Sequence, residues 1–283
     1  MKALITGASG LFGSYLQKCA PESAFLYTDR VEILDKDAIA SAFDSFEPEV
    51  VIHLAGEGSV DRAEANMENA YALNVVGTQN LLEAAAKHEA HFVYISTNAI
   101  YDGFKAPYSE ESPRKPINYY GVSKVAAEDE VFKYAFKSSV YRLIFLYGWT
   151  PKSSRAHFMT RVFKSLKAGE QVRVAKDIFT QPTHALDAAS TAWGLLQAQE
   201  GPKDVFNIAP RKTMSLYAFA LDIAAAFGFD PSLIVPTEHA ELPGLARRPK
   251  NTSFDVTKLE LAGFSLPPPS EGLVAMMGRE DAA

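Results

Sequence analysis

Short apolar runs alternate with amphipathic segments through the first half of the chain. Each run is nearly continuous, as at Val50, Val51 and Ile52, and such runs are typical of strands buried on both faces of a parallel sheet. Alternating strands and helices require right-handed crossovers, so we predict an α/β fold with a doubly wound Rossmann parallel sheet. The predicted strands are 2–6, 24–28, 49–54, 92–95 and 140–145, and the predicted helices are 11–19, 36–43, 71–87 and 120–136.

The pattern changes after Gly148, where prolines become more frequent and the apolar runs become shorter. We expect residues 1–150 to form the Rossmann domain, with the chain returning to it around 171–208. Residues 151–283 are expected to build mostly a smaller carboxy-terminal lobe, interleaved with the first domain. Within this part of the chain the pattern predicts helices at 187–197 and 215–227, a strand at 205–208 and irregular structure at the prolines 267–269.

Composition and charge argue against several classes of protein. The 283 residues are 47 % apolar and 22 % charged with a net charge of −6, so there is no strongly basic field for a nucleic acid. The chain has no apolar run of about 18 residues, which argues against a membrane span. The lone cysteine, Cys19, fits a reducing compartment, and we expect a cytoplasmic protein. The histidines lack the spacing of metal ligands, so no metal site is expected.

A glycine-rich loop, GASGLFG, lies between the first predicted strand and the first predicted helix. In this spacing Gly7 permits a tight turn, Gly10 lets a pyrophosphate approach the backbone, and Gly13 lets the helix pack against the strand. A plain glycine turn is the alternative, but the position between strand and helix predicts a dinucleotide site. Free N–H groups around the helix start would bind the phosphates, which adds Ser9, Leu11 and Phe12 to the candidate cofactor residues.

An acidic residue about 20 positions after such a loop is expected to bind the adenosine ribose, and Asp29 lies there. Asp29 favours an unphosphorylated ribose, whereas Arg30 could pair with a 2′-phosphate, so NAD(H) and NADP(H) both stay open. An ordinary surface turn is the alternative. Room for the cofactor at the carboxyl edge of the sheet is predicted where the third strand ends, at Leu54, Ala55 and Gly56.

Tyr120 and Lys124 lie four residues apart at the start of a predicted helix, so their side chains share one face. A free phenol has a pKa of about 10, and a nearby ammonium would lower it towards the range useful for proton transfer. Thr97, which ends the fourth strand, could donate a hydrogen bond to a substrate oxygen at the same sheet edge. Each motif alone has an ordinary structural explanation, but together and in this order they predict nicotinamide-dependent chemistry at a carbon that bears a hydroxyl or a carbonyl.

These motifs resemble the extended short-chain dehydrogenase/reductase family, and within it the branch of dTDP-4-dehydrorhamnose reductase. The resemblance covers nearly the whole chain. Besides the glycine loop, it is carried by VVIHLA at 50–55, VDRAE at 60–64, ALNV at 72–75, YIST at 94–97, YGVSK at 120–124, QPT at 181–183 and RPKN at 248–251.

The resemblance implies a catalytic triad of Thr97, Tyr120 and Lys124. Tyr120 would give a proton to the substrate oxygen, Lys124 would hold the nicotinamide ribose and tune Tyr120, and Thr97 would orient the carbonyl. The smaller lobe would bind substrate, with Arg248 near it. The implied cofactor-side or supporting positions are Gly7, Gly10, Phe12, Gly13, Asp29, Ala55 and Asn74.

Three positions depart from the reductase pattern. Asn98 and Ala99 stand where the reductase has Asp-Tyr, which help to hold the sugar, and Phe145 stands where a Trp is expected. Asn98 and Phe145 are kept as substrate-side candidates. Because no acid follows Thr97, the resemblance disfavours a sugar dehydratase.

The leading hypothesis is an NAD(P)H-dependent reductase of a keto sugar, with a nucleotide-linked 4-keto-6-deoxyhexose as its small-molecule substrate. One alternative is a nucleotide-sugar epimerase that keeps NAD bound. Another is a non-catalytic, cofactor-binding regulatory subunit, like the methionine adenosyltransferase regulatory subunit that shares this fold. A homodimer through the helices 71–87 and 120–136 is suggested by analogy alone.

Overall fold

The computed structural model describes residues 1–149, 157–198 and 201–278. The strands are β1 (Lys2–Thr6), β2 (Phe25–Tyr27), β3 (Val50–His53), β4 (His91–Thr97), β5 (Ser138–Leu143), β6 (Leu146–Tyr147), β7 (Val172–Ala175), β8 (Phe179–Thr180), β9 (Thr183–His184), β10 (Lys203–Ile208), β11 (Met214–Ser215) and β12 (Ile234–Thr237). The α-helices are α1 (Leu11–Lys18), α2 (Lys36–Phe46), α3 (Val60–Ala65), α4 (Met67–Tyr71), α5 (Gly77–Lys87), α6 (Tyr119–Lys133), α7 (Phe158–Lys167), α8 (Ala185–Ala198), α9 (Leu216–Phe227), α10 (Thr257–Leu261) and α11 (Pro269–Met276). Within the described ranges, no helix combines the length and the apolar character needed to cross a bilayer.

Six strands form one sheet in the order β10-β5-β4-β3-β1-β2, and every neighbouring pair in it is parallel. The predicted doubly wound parallel sheet is therefore confirmed. The strand order reverses at β1, which pairs with both β2 and β3. Ligands of this architecture bind outside the carboxyl ends of the strands at such a reversal. The sheet therefore predicts a ligand site at the ends of β1 and β3.

Two apolar layers cover the sheet, as the continuous apolar strands require. On one side α1 and α8 pack together over the sheet, with Tyr15, Leu16 and Trp193 in the core. On the other side α2, α5 and α6 enclose Phe43, Leu81 and other buried residues. The chain returns to the sheet through α8 and β10. Strand β7 lies outside the sheet, where it pairs with β12.

A third apolar cluster lies where the smaller lobe is predicted. It is built from α7, α9 and α11 around Trp149, Phe163 and Phe219, with the β7–β12 pair beside it. The predicted irregular tail differs from the structure, because α11 begins at Pro269. Proline suits the first position of a helix, where its fixed φ is favourable and its missing N–H is not needed.

The long predicted helix at 71–87 is interrupted in the structure. A π-helical turn over Ala72–Val76 separates α4 from α5. Turns of this kind insert one extra residue into the helical repeat and often occur at functional sites. The turn contains Asn74, which is buried. Its side chain joins the loop after β3 to α6.

Candidate active site

The glycine loop has the geometry that a pyrophosphate needs. Gly7 has φ +70°, and a Cβ added there would lie 2.9 Å from the backbone nitrogen of Ala55. At Gly13 an added Cβ would lie 2.5 Å from the Gly7 carbonyl oxygen, so α1 can approach the loop only without a side chain. Gly10 is the N-cap of α1, and the first-turn N–H groups have no intrahelical acceptors. These residues therefore fit a dinucleotide phosphate at the helix start.

We predict that Gly13→Ala weakens NADPH binding by about 10- to 100-fold. The added methyl group must displace the Gly7 carbonyl, and overpacking of this kind costs about 1–3 kcal/mol. Fluorescence titration of NADPH measures the change. Gly201→Ala is the matched control, since the nearest atom to its added Cβ is 3.9 Å away. Equal affinities for the two variants would contradict the prediction.

A buried hydrogen-bond chain joins the ends of β1 and β3 to the π-helical turn. The Thr6 hydroxyl lies 2.7 Å from His53 Nδ1, and His53 Nε2 lies 3.1 Å from the Thr78 hydroxyl. Thr78 donates its own proton to the Asn74 carbonyl at 2.7 Å. Because that proton is used, His53 must carry its hydrogen on Nε2 and accept from Thr6 at Nδ1. Burial lowers the pKa of His53 to about 3, which keeps the ring neutral and the chain intact.

The Asn74 side chain ties the loop after β3 to α6. Its Oδ1 accepts the backbone N–H of Glu57 at 2.8 Å, and its Nδ2 donates to the Glu57 carbonyl at 3.2 Å. The same Nδ2 donates to the Ser123 hydroxyl at 2.9 Å, and that hydroxyl donates to the Tyr120 carbonyl at 2.8 Å. Asn74, predicted as a supporting residue, thus connects the cofactor side of the sheet with the helix that carries Tyr120.

The start of α6 is fixed by two caps. The Asn118 side chain accepts the N–H of Gly121 at 2.9 Å, and the Glu64 carboxylate accepts the N–H of Tyr119 at 2.9 Å. A Cβ at Gly121 would lie 2.2 Å from the Ala99 carbonyl oxygen, so this glycine allows α6 to approach the turn after β4. This close approach brings the first turn of α6 to the end of β4.

The three predicted catalytic residues lie around the end of β4. The Tyr120 phenol lies beside the Thr97 side chain, whose hydroxyl donates to Asn98 Oδ1 at 3.3 Å and accepts the N–H of Ala99 at 3.2 Å. The Lys124 ammonium donates to the Ile95 carbonyl at 2.7 Å and lies 4.0 Å from the centre of the Tyr94 ring. The arrangement offers a phenol and a hydroxyl that can act together on one substrate oxygen.

The expected lowering of the Tyr120 pKa is not what the structure gives. Burial raises the pKa of Tyr120, the neighbouring Thr97 side chain lowers it, and the Glu57 charge raises it further. Burial also lowers the pKa of Lys124 to about 7, against the opposing effect of Glu128. A spacing of four residues places the Tyr120 phenol and the Lys124 amine on one helix face. It does not show that both groups are buried there.

The other predicted residues lie in varied surroundings. Asp29 is exposed just after β2, and Arg30 is exposed with its guanidinium 2.6 Å from Glu32. Leu54, Ala55 and Gly56 follow β3 beside the glycine loop, and Ser9, Leu11 and Phe12 lie at the start of α1.

The three substrate-side candidates all have partners within the protein. Arg248 pairs with Asp61 at 2.8 Å, and Asn98 Nδ2 donates to the Thr252 hydroxyl at 2.5 Å. Phe145, at φ +41°, packs its ring against Phe158 and Phe219 of the smaller lobe. These contacts tie the segment around Arg248 to the Rossmann domain, and the Asn118 side chain before α6 donates to the Arg247 carbonyl at 3.0 Å.

Two residues of the site were missed from the sequence. Asn118 precedes a predicted helix start, and asparagine is a favoured N-cap residue. The sequence could therefore have predicted that Asn118 caps α6. Glu57 belongs to no motif that would have identified it from the sequence. Only the fold shows that it is buried beside α6, with its backbone held by Asn74.

The parallel sheet, the glycine loop at the strand reversal and the Thr97, Tyr120 and Lys124 cluster define the class: an extended short-chain dehydrogenase/reductase. The chain belongs to the RmlD substrate binding domain family, which it matches over residues 1–281.

Known relatives agree with this family. The chain is 30 % identical to dTDP-4-dehydrorhamnose reductase of Aggregatibacter actinomycetemcomitans, with 94 % of each chain covered. It is 31 % identical to methionine adenosyltransferase 2 subunit beta of Rattus norvegicus, over 93 % of this chain and 83 % of the relative. Among solved structures, dTDP-4-dehydrorhamnose reductase from Bacillus anthracis in complex with NADP superposes with a TM-score of 0.90. Its identity is 28 %, and the match covers 97 % of this chain and 98 % of the other.

Proposed function

We propose that this protein is an NAD(P)H-dependent reductase of a nucleotide-linked keto sugar, such as a 4-keto-6-deoxyhexose. The observation that carries the proposal is the Tyr120 phenol beside the Thr97 side chain at the end of β4, in a fold whose glycine loop fits a dinucleotide phosphate. The nicotinamide would supply the hydride when bound. The relative from Aggregatibacter actinomycetemcomitans and the NADP complex from Bacillus anthracis support both the reaction and the cofactor.

In this proposal each group of the chain has a stated task. Tyr120 holds the proton that the substrate oxygen receives, and its raised pKa keeps that proton in place at neutral pH. Thr97 holds the same oxygen through its hydroxyl. Lys124, fixed by the Ile95 carbonyl, lies on the same helix face as Tyr120 to hold the ribose beside the phenol.

The test is direct measurement of cofactor oxidation. Purified protein is mixed with NADPH or NADH and a dTDP-linked 4-keto-6-deoxyhexose, and the loss of reduced-nicotinamide absorbance is followed. We expect oxidation that depends on the sugar, and the ratio of rates with the two cofactors decides between NADP(H) and NAD(H). An absence of oxidation with every nucleotide-linked ketone tried would refute the proposal. Tightly bound NAD⁺ in the purified protein would instead favour the epimerase.

A second candidate is a cofactor-binding regulatory subunit. It is supported by the similarity to methionine adenosyltransferase 2 subunit beta and by the engagement of Asn98 with Thr252. Size-exclusion chromatography with a methionine adenosyltransferase catalytic subunit tests it, and co-elution without any ketone reduction would favour it. We rank it second because a binding subunit has no need for the Tyr120–Thr97 pair.

Two expectations from the sequence remain proposals. A homodimer through α5 and α6 is tested by light scattering of the purified protein. A cytoplasmic location is tested by cell fractionation.

A further inference from the structure

The loop at residues 54–57, which follows β3 beside the glycine loop, is held by a chain of buried hydrogen bonds. The Thr6 hydroxyl accepts the N–H groups of Leu54 and Ala55, each at 3.2 Å. The same hydroxyl donates its proton to His53 Nδ1 at 2.7 Å. These three hydrogen bonds use both lone pairs and the only proton of the Thr6 hydroxyl. One buried hydroxyl therefore holds the first half of the loop, and it has no capacity left for another partner.

The second half of the loop is held by Asn74. Its side chain binds both the N–H and the carbonyl of Glu57, at 2.8 and 3.2 Å, and a Cβ added at Gly56 would collide with its Oδ1. The Asn74 carbonyl accepts the Thr78 hydroxyl at 2.7 Å, and that hydroxyl lies 3.1 Å from His53 Nε2. His53 thus connects the groups that hold the two halves of the loop.

Only one tautomer of His53 satisfies both ends of this chain. Thr78 gives its proton to the Asn74 carbonyl, so it can only accept from the ring, and the ring hydrogen must lie on Nε2. If the hydrogen were on Nδ1, the Thr6 hydroxyl would have to accept it and release one of the two loop N–H groups. The tautomer of a buried ring is therefore coupled to the conformation of the loop.

This loop lies at the part of the site that fits a dinucleotide. Gly7 follows Thr6 at the end of β1, and a Cβ added at Gly7 would lie 2.9 Å from the Ala55 nitrogen. The ends of β1 and β3 flank the reversal of strand order, where ligands of this architecture bind. A ligand that meets a loop already fixed in one conformation loses less binding free energy to ordering it.

We propose that His53 is a positioning residue for the dinucleotide, because in its Nε2–H tautomer it fixes residues 54–57 through Thr6 and Thr78. The inference rests on the cofactor-binding part of the proposed function and does not depend on which sugar is reduced. His53 is 1 % exposed, so it acts through its two hydroxyl partners. Burial lowers the pKa of His53 to about 3, so at neutral pH its partners select a tautomer and not a charge state.

A pair of substitutions at Thr78 tests this role. Thr78→Val keeps the size of the buried side chain and removes the hydroxyl that accepts from His53. We expect the Kd for NADPH to rise about 10-fold, since the loop is then no longer held in one conformation. Thr78→Ser keeps the hydroxyl and should bring the Kd back to within about twofold of the wild-type value. Fluorescence titration of NADPH measures both.

A second buried histidine supplies the matched control. His91 begins β4, at the amino end of the sheet and away from the glycine loop, and its Nε2 lies 2.8 Å from the Ser139 hydroxyl. Ser139→Ala removes the hydroxyl partner of this ring and should leave the Kd for NADPH unchanged. Urea denaturation without cofactor measures the stability that each variant loses. If Thr78→Val and Ser139→Ala weaken NADPH binding equally, the chain supports only the fold and the inference is overturned.

Nitrogen-15 NMR of the histidine rings reads the tautomer without cofactor or substrate. The signals of His53 are assigned by their loss in His53→Phe. We expect the Nε2–H tautomer in the wild type and in Thr78→Ser, and the Nδ1–H tautomer in Thr78→Val. An Nδ1–H tautomer in the wild type would overturn the inference. If Thr78→Val does not fold, Thr78→Ala removes the same hydroxyl and takes its place in both measurements.

The inference and the proposed function can fail separately. If NADPH binds but no ketone is reduced, the reductase is lost, and the NADPH titrations still decide the role of His53. An unchanged Kd in a folded Thr78→Val overturns the inference alone, even if the wild type reduces a ketone. If the wild type binds neither NADPH nor NADH, both are overturned.

Discussion

Tyr120→Phe should lower kcat for ketone reduction by about 10²- to 10⁴-fold while leaving NADPH affinity within about twofold. The substitution removes the hydroxyl that lies beside Thr97 and keeps the ring, so the proton donor is lost without a cavity. General acid catalysis by a positioned side chain contributes about this much to a rate. Stopped-flow measurement of NADPH oxidation, with fluorescence titration of the cofactor, separates the two effects.

Tyr119→Phe is the matched control for this variant. Tyr119 is the neighbouring residue, and its backbone N–H rather than its phenol is bound by Glu64. We expect it to keep activity close to that of the wild type. Activity in Tyr120→Phe equal to that of Tyr119→Phe would remove the phenol from the mechanism, and co-elution with a catalytic partner would then favour the regulatory candidate.

Arg142→Met should lower the free energy of unfolding by about 3 kcal/mol, the lower end of the cost of breaking a buried ion pair, because Glu128 keeps Arg114 as a partner at 3.2 Å. Arg142 on β5 is 2 % exposed and makes two hydrogen bonds, at 3.0 and 2.8 Å, to Glu128, which is fully buried on α6. It also donates to the Tyr101 hydroxyl at 2.9 Å. Urea denaturation measures the loss, and Lys133→Met, which breaks an exposed pair with Glu130, should give no measurable change.

The double variant Arg142→Met/Glu128→Leu distinguishes a buried ion pair from simple packing. Removal of both charges leaves no uncompensated carboxylate, so most of the lost stability should return. A double variant as unstable as Arg142→Met alone would show that the cost comes from lost packing. Because Glu128 lies one turn after Lys124 and raises its pKa, the double variant also reports whether the network supports the site.

The predicted family and fold class were confirmed because both depend on local signals. The strands of the sheet are apolar runs, and the glycine loop lies between a strand and a helix, so each could be read within a short window of sequence. The element bounds were less accurate. The π-helical turn at Ala72–Val76 was not predicted, because its residues have the same apolar pattern as an ordinary helix.

The sequence by itself determined the sheet, the cofactor loop and which residues are candidates for proton transfer. The tertiary structure decided what surrounds those residues. Arg248 meets Asp61, Asn98 meets Thr252, and Glu57 reaches α6 through Asn74, all across long stretches of chain. Burial, which governs the pKa of Tyr120 and Lys124, is a property of everything packed around a group, and no spacing between two residues specifies it.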